Sequence, residues 1–341
     1  MSLKMYKPTP AGIHGVKKII AVASGKGGVG KSTVAVHLAR ALQGLGLRVG
    51  LMDIDVYGPS ARRMLPEERL PEQTSEGISP AECSGIKLIS MAHFRQERDA
   101  ALVRAPIANG LISQFVNEVL WGKLDVLLVD FPPGTGDIQL TICQKAPLFG
   151  ALIVTTPQKI ALMDVLKSVQ SFEDLKVPIL GIIENMSYIA DDKTGGKTYL
   201  FGQDGGRYLS RTVGAPFWGQ IPIHQNICAA CDRGEALCDE VAAPFIEMAK
   251  KLSLLDESQL GPQVMLPDPK TVVIQWGAKG VKWRAEALQK LCPCAACQGE
   301  GKTEENVEAL GIVLAGRYGF RVRFSSGCSA GIYDFEAVKN A

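Results

Sequence analysis

The chain has 341 residues, of which 46% are hydrophobic and 21% charged, and its formal net charge is +2 at pH 7. This composition is typical of a globular protein with one large core and a second, smaller one. The near-neutral charge does not suggest a nucleic-acid partner, without excluding one, and we expect none. No apolar run reaches the ~20 residues that a membrane-spanning helix needs. The first residues lack the apolar region of a secretory signal, so we expect a soluble, cytoplasmic protein without a membrane partner.

Apolar runs alternate with helical patterns over most of the chain. Strands are predicted at residues 17–24, 48–55, 85–92, 125–131, 150–156, 177–187 and 214–223, and helices at residues 31–46, 108–121, 161–175 and 243–255. Strands that are apolar on both faces and separated by helices predict an α/β fold with a doubly wound, mostly parallel sheet. The predicted domains are an N-terminal extension (1–16), this α/β domain (17–255), a linker (256–264) and a small β-rich domain (265–341).

A glycine-rich loop follows the first predicted strand and opens the first predicted helix. Its sequence, GKGGVGKS, satisfies the phosphate-binding pattern GxxxxGK[ST]. Backbone N–H groups of such a loop cradle phosphate oxygens, while Lys31 bridges the β- and γ-phosphates and Ser32 binds Mg²⁺. The alternative is a purely structural turn. The predicted ATP-binding loop residues are Gly25, Lys26, Gly27, Gly28, Val29, Gly30, Lys31, Ser32 and Thr33.

Two acidic segments predict the rest of a nucleotide site. In VDFPPGTGD a hydrophobic strand ends at Asp130, which suits a carboxylate that holds Mg²⁺ through water. In LMDIDVYGPS, Asp53 and Asp55 alternate at a strand end, so we expect both to face the same side. We assign the catalytic orientation of the attacking water to Asp55, with Asp53 in support. The alternatives are a helix cap at Asp130 and a solvated strand end at the other two.

The segment GKGGVGKS resembles the deviant Walker A motif of the family that contains bacterial partitioning and division-site ATPases and the nitrogenase iron protein. The resemblance implies a homodimer in which Lys31 acts on its own nucleotide and Lys26 on the nucleotide of the partner. The segments DIDVYGPS, DFPPGTGDIQL, VTTPQ, GIIENMSY and IPI are similar to Mrp-type iron–sulfur cluster carrier ATPases over residues 17–250. This similarity implies ATP hydrolysis, an adenine contact at Asn185, and transfer of a [4Fe–4S] cluster from an assembly scaffold to apo iron–sulfur proteins.

Carriers of that kind usually hold a C-x-x-C motif a few residues after ENMS, where this chain continues YIADDKTGGKTYLFG without a cysteine. Asp191 and Asp192 are poor replacements because carboxylates are harder ligands than thiolates. Cys228 and Cys231, in NICAACDRGEALC, have a suitable spacing and are candidate iron–sulfur ligands. The alternatives are packing or redox roles for this pair, and an ATP-switched adaptor that no longer carries a cluster.

The C-terminal region contains a second group of cysteines. Cys292, Cys294 and Cys297 lie close together in LCPCAACQGEG, and Cys328 follows in FSSGCSAGIYDF. Four thiolates suit a tetrahedral structural Zn²⁺ site, with an iron–sulfur cluster or free thiols as alternatives. Trp276, CPCAAC and SSGCSAGIY resemble the small zinc domain at the N-terminus of γ-butyrobetaine hydroxylases, where a histidine generally takes the place of Cys328. We therefore predict a Cys₄ zinc site in a domain that serves docking or stability.

Overall fold

The computed structural model describes residues 11–13, 15–56, 58–94, 105–190, 196–256, 262–276, 279–294, 297–298, 306–315 and 319–340. The chain divides into two compact units, Met1–Ser253 and Leu254–Ala341. Within the described residues, no helix is both long enough and apolar enough to cross a bilayer.

The first unit alternates strands and helices as the sequence predicts. Its strands are β1 (Val16–Ser24), β2 (Val49–Asp53), β3 (Glu72–Gln73), β4 (Ile78–Ser79), β5 (Ala81–Cys83), β6 (Ile86–Ser90), β7 (Leu124–Asp130), β8 (Gly150–Thr155), β9 (Ile179–Glu184), β10 (Ile189–Ala190), β11 (Lys197–Thr198) and β12 (Phe217–Gln220). Its helices are α1 (Lys31–Gly44), α2 (Ala61–Met64), α3 (Ala105–Asn117), α4 (Asp137–Lys145), α5 (Lys159–Asp174), α6 (Gly205–Val213), α7 (Gln225–Arg233) and α8 (Asp239–Leu254). Short 3₁₀ helices cover Ala11–Ile13 and Met91–Phe94.

Eight strands form one sheet in the order β12-β9-β8-β1-β7-β2-β6-β5. All neighbouring pairs are parallel except β5–β6. Every residue of β2, β8 and β9 is buried, which explains why these strands were recognisable as continuous apolar runs. The mostly parallel sheet is thus confirmed, and all seven predicted strands are present in it.

The antiparallel edge strand β5 was not predicted. It has three residues and turns directly into β6 through Ser84 and Gly85, which have φ angles of 49° and 80°. Two-residue hairpin turns with positive φ at both positions suit the twist of the strands. A strand this short leaves too few residues for an alternating pattern to be visible in the sequence.

Two predicted helices have different bounds in the structure. Helix α3 ends at Asn117 rather than at residue 121, because the next residues bond to the main chain of β4. The Ile78 N–H donates to the Glu118 carbonyl, and the Leu120 N–H donates to the Ile78 carbonyl. Helix α8 begins at residue 239, four residues before its predicted start, and contains Pro244.

The second unit consists of two antiparallel three-stranded sheets, β13-β14-β15 and β16-β17-β18. Its elements are β13 (Gln263–Asp268), β14 (Thr271–Trp276), β15 (Lys279–Arg284), α9 (Ala285–Lys290), β16 (Ala309–Ala315), β17 (Gly319–Phe324), β18 (Ile332–Asp334) and α10 (Phe335–Asn340). The second unit has a hydrophobic core of its own, which includes Ile274 of β14, Leu288 of α9 and Phe320 of β17. Strand β13 begins inside the segment that the sequence assigned to a linker.

Candidate functional site

The glycine-rich loop joins the central strand β1 to helix α1. Gly28 and Gly30 each have φ +78°, a left-handed conformation that favours glycine. A Cβ atom at Gly25 would lie 2.3 Å from the Val165 nitrogen, and one at Gly30 would lie 2.2 Å from Asn185 Nδ2. These glycines let the loop fold closely against its surroundings, and Gly28 and Gly30 line a cavity of about 240 Å³. The helix start beneath the loop favours an anionic ligand there.

Lys31 connects the loop to two acidic side chains. Its Nζ lies 2.5 Å from Asp130 Oδ1, 4.0 Å from Asp55 Oδ2 and 3.4 Å from Ser32 Oγ. The other oxygen of Asp130, Oδ2, is buried and has no hydrogen-bond partner among the described residues. A carboxylate and a hydroxyl are oxygen ligands of the kind that Mg²⁺ prefers. The pair Ser32 and Asp130 therefore fits a magnesium ion, which would satisfy Oδ2 directly or through water.

Asp53 and Asp55 occupy different positions, so the expectation that both alternate along one strand is wrong. Strand β2 ends at Asp53, which is in register with Asp130 of β7. The Asp53 carboxylate accepts hydrogen bonds from the Asp55 N–H (3.1 Å), the Ala61 N–H (3.2 Å) and Ser90 Oγ (2.9 Å). Asp55 lines the cavity, whereas Asp53 is fully buried and fixes the loop that carries Asp55.

The two buried carboxyl groups at the strand ends affect each other. Burial and the neighbouring Asp130 raise the pKa of Asp53 to about 7. Burial also raises the pKa of Asp130, against the favourable charge of Lys31. Both effects follow from the parallel register, which brings two acidic strand ends side by side in a medium of low polarity.

This pair predicts a pH dependence of stability. A free aspartate has a pKa of about 3.9, so Asp53 binds its proton more tightly in the folded than in the unfolded chain. The resulting contribution of Asp53 to the free energy of unfolding is fully present below about pH 4 and is lost as pH rises towards about 7. In thermal unfolding, we expect the wild-type melting temperature to fall over this range more steeply than that of Asp53→Asn. Parallel curves for the two proteins would show that Asp53 does not carry the effect.

Two further predicted residues border the loop. Lys26 lines the cavity, and its ammonium group has no ion-pair partner among the residues that the structure describes. Asn185 follows β9 and donates from Nδ2 to the Val29 carbonyl at 2.8 Å, so it braces the loop. An adenine contact at Asn185 stays a prediction.

Some residues that line the cavity were not singled out from the sequence. They are Ser24, Gly58, Ser60 and Pro133. Three of them stand in the GPS and FPPG turns, which follow the acidic residues at the ends of strands.

The thiols of Cys228 and Cys231 project from helix α7 into different surroundings. Cys228 is exposed, whereas Cys231 is partly buried. The Cys231 sulfur lies 3.4 Å from His37 Nε2 and 3.9 Å from Thr33 Oγ1, both on α1. Burial lowers the pKa of His37 to about 4, so its imidazole is neutral. Asp191 and Asp192, the other candidates weighed for this role, lie outside the described residues.

The four cysteines of the second unit converge on one point. Cys328 Sγ lies 3.6 Å from the sulfur of Cys292, 3.6 Å from that of Cys294 and 3.4 Å from that of Cys297. Zn–S bonds of ~2.3 Å in a tetrahedron place sulfurs ~3.8 Å apart, so the group fits a single ion. A cubane cluster would need wider spacing, because each thiolate binds a different iron. A Cβ at Gly331 would lie 2.4 Å from Cys292 Sγ, so glycine is required there.

Comparison with known families divides the chain in the same two parts. The model of the NUBPL iron-transfer P-loop NTPases matches residues 15–255. The model of the N-terminal domain of γ-butyrobetaine hydroxylase-like proteins matches residues 265–339.

Individual relatives cover mainly the first part. The iron-sulfur cluster carrier protein of Haemophilus influenzae is 42% identical, over 74% of this chain and 70% of its own length. The chloroplastic Fe-S cluster assembly factor HCF101 of Arabidopsis thaliana is 46% identical over 73% of this chain, which spans only about half (47%) of that protein. A nucleotide-binding protein of Archaeoglobus fulgidus, solved with ADP and with cobalt, is 36% identical with a TM-score of 0.58, over 68% of this chain and 90% of that one.

Proposed function

Because this chain belongs to the NUBPL iron-transfer P-loop NTPase family, we propose that it is an ATP-hydrolysing carrier of [4Fe–4S] clusters. Both family resemblances that the sequence indicates are confirmed by the matching family models. The relatives named as cluster carriers or assembly factors favour cargo transport over the adaptor alternative. The cluster is thus the substrate of the protein, and apo iron–sulfur proteins and an assembly scaffold are its proposed partners.

The observation that carries the ATPase part of the proposal is the pairing of Lys31 with Asp130 beneath the phosphate loop. When a triphosphate binds, Lys31 shifts its charge from Asp130 to the β- and γ-phosphate oxygens. Ser32 and Asp130 would hold Mg²⁺, which would supply neutralising charge, and Asp55 at the cavity wall orients the attacking water.

The proposed organisation follows from the same assignments. We propose an ATPase domain at residues 17–255, joined by the linker 256–264 to a Cys₄ zinc domain at residues 265–341. The ATPase domain acts as a homodimer in which Lys26 serves the nucleotide of the partner subunit. Its place of action is the cytoplasm, where the thiols of both cysteine groups stay reduced and free to bind metal.

The decisive experiment is cluster loading and transfer with the full chain. Anaerobic treatment with iron and sulfide is expected to give the visible absorbance of a thiolate-bound cluster, and the loaded protein is expected to restore activity to an apo [4Fe–4S] enzyme. Free iron and sulfide at the same concentration serve as the control. A chain that binds no cluster, or that activates the acceptor no better than the free ions, would refute the carrier proposal.

The tail site leads to a separate prediction about metal content. We expect about one zinc ion per chain, bound by four thiolates. Cys328→Ser is expected to lose that zinc and to lower the unfolding temperature of the second unit, because a small domain relies on its metal for stability. Cys238→Ser, which removes an exposed thiol outside the cluster, is the matched control. Equal zinc content in both variants would contradict the assignment of these four cysteines as ligands. Iron in place of zinc would keep the four ligands but contradict the assignment of zinc as their metal.

A further inference from the structure

The cysteines of the first unit fall into two kinds. Cys83 and Cys143 pack against the apolar core, and burial raises the pKa of each thiol to about 12. Neither has a second cysteine near it in the chain, whereas an iron–sulfur cluster needs several thiolates. The other three, Cys228, Cys231 and Cys238, lie in one segment, and two of them are exposed. Any cluster bound by cysteines of the first unit must therefore use this segment.

Within the segment, Cys228 and Cys231 form a pair on one helix. They lie three residues apart on α7, whose buried residues are Ile227 and Ala230. Side chains at this spacing have Cβ atoms about 5–6 Å apart on neighbouring turns. That separation lets their sulfurs bind two different irons of one cluster without a change in the helix. Cys238 lies outside α7, in the connection to α8.

Helix α7 is also attached to the nucleotide site. The Cys231 sulfur is 3.9 Å from Thr33 Oγ1, and Thr33 lines the phosphate cavity. The Arg40 guanidinium, from the same helix as Thr33, donates to the Gly234 carbonyl at the end of α7 (2.8 Å) and to the Met64 carbonyl of α2 (3.1 Å). A change at Cys231 therefore acts directly on Thr33, which lines the cavity at the glycine-rich loop.

We propose that Cys228 and Cys231 hold one edge of the carried cluster, and that Cys231 couples cluster occupancy to nucleotide binding through Thr33. The proposal rests on the carrier function above, and a second copy of the chain supplies the other two thiolates. As the two Fe–S bonds form, each thiol gives its proton to solvent and no electron is transferred. Cys231 then no longer donates to Thr33, and the iron-bound sulfur instead accepts a hydrogen bond from the Nε2–H of His37, whose Nε2 lies 3.4 Å away.

The ligand assignment is tested by anaerobic loading of three full-length proteins. These are the wild type, the double variant Cys228→Ser with Cys231→Ser, and the control Cys238→Ser. We expect about two irons and two sulfides per chain in the wild type and the control, and loss of both in the double variant. Retained binding of ADP reports that the first unit of each variant is folded, and the zinc content of the tail, which should not change, reports the same for the second unit. A double variant that loads fully would overturn the assignment, whereas a wild type that does not load would overturn the carrier function itself.

The coupling is tested by the affinity for ADP before and after loading. In the wild type, loading is expected to change the dissociation constant at least about five-fold, the lower end of usual coupling between sites. The double variant, treated with iron and sulfide in the same way, is expected to show no change. Equal affinities of the empty and loaded wild type, or the same shift in the double variant, would refute the coupling through Cys231.

Discussion

Lys31→Ala is expected to lose nucleotide binding, with the affinities for ADP and ATP falling about 100-fold or more. The side chain is nearly buried, 6% exposed, and is the only described cation within salt-bridge distance of Asp130. On nucleotide binding this ammonium group turns to the phosphates, and truncating one partner of such a charge pair at a binding interface costs about 2–5 kcal/mol, of which each ~1.4 kcal/mol is a factor of ten in affinity. Without the ammonium group, the phosphates would also meet the uncompensated charge of Asp130 at close range.

Titration calorimetry with ADP and Mg²⁺ measures this loss directly. Lys26→Ala is the matched control, because it removes a lysine from the same loop that has no described ion-pair partner. Thermal unfolding separates a binding defect from a folding defect. If Lys31→Ala is folded and binds ADP as tightly as Lys26→Ala does, the loop does not bind phosphate through Lys31.

The fold was predictable where burial leaves a plain signature. Strands covered on both faces must be apolar throughout, and the phosphate loop needs glycines at positions set by its backbone. For that reason the seven long strands and the loop of residues 25–32 were located from sequence. The two-residue strands β3, β4, β10 and β11 carry no such signature, because so few residues cannot display a period.

The limits at the site have a different cause. A period of two indicates which side a residue faces only while the strand continues, and β2 ends at Asp53. The sequence therefore could not show that Asp53 anchors the loop while Asp55 borders the cavity. The contact between His37 and Cys231 joins residues 194 positions apart. Only the packing of α7 against α1 in the folded chain brings these two side chains together, and neither residue type is unusual in its own segment.

Lys26→Ala is expected to keep nucleotide affinity while losing hydrolysis about 100-fold or more, together with ATP-dependent dimerisation. Within its own chain the Lys26 ammonium group has no described ion-pair partner, although it lines the cavity. A positive charge that reaches the phosphates only when two subunits meet stabilises the charge developing in the transition state, and loss of one such group typically costs a factor of 10²–10³. Turnover and light scattering with ATP measure both effects.

Mixing the two lysine variants distinguishes action across the dimer from action within one subunit. In a mixed dimer, the Lys31→Ala chain binds no nucleotide but still presents Lys26 to its partner. The Lys26→Ala chain binds nucleotide and receives that lysine, so one complete site is assembled from two defective chains. Mixing should therefore restore part of the lost ATP turnover. If Lys26 acts within its own subunit, every site in the mixture lacks one lysine and hydrolysis stays absent at any ratio of the two proteins.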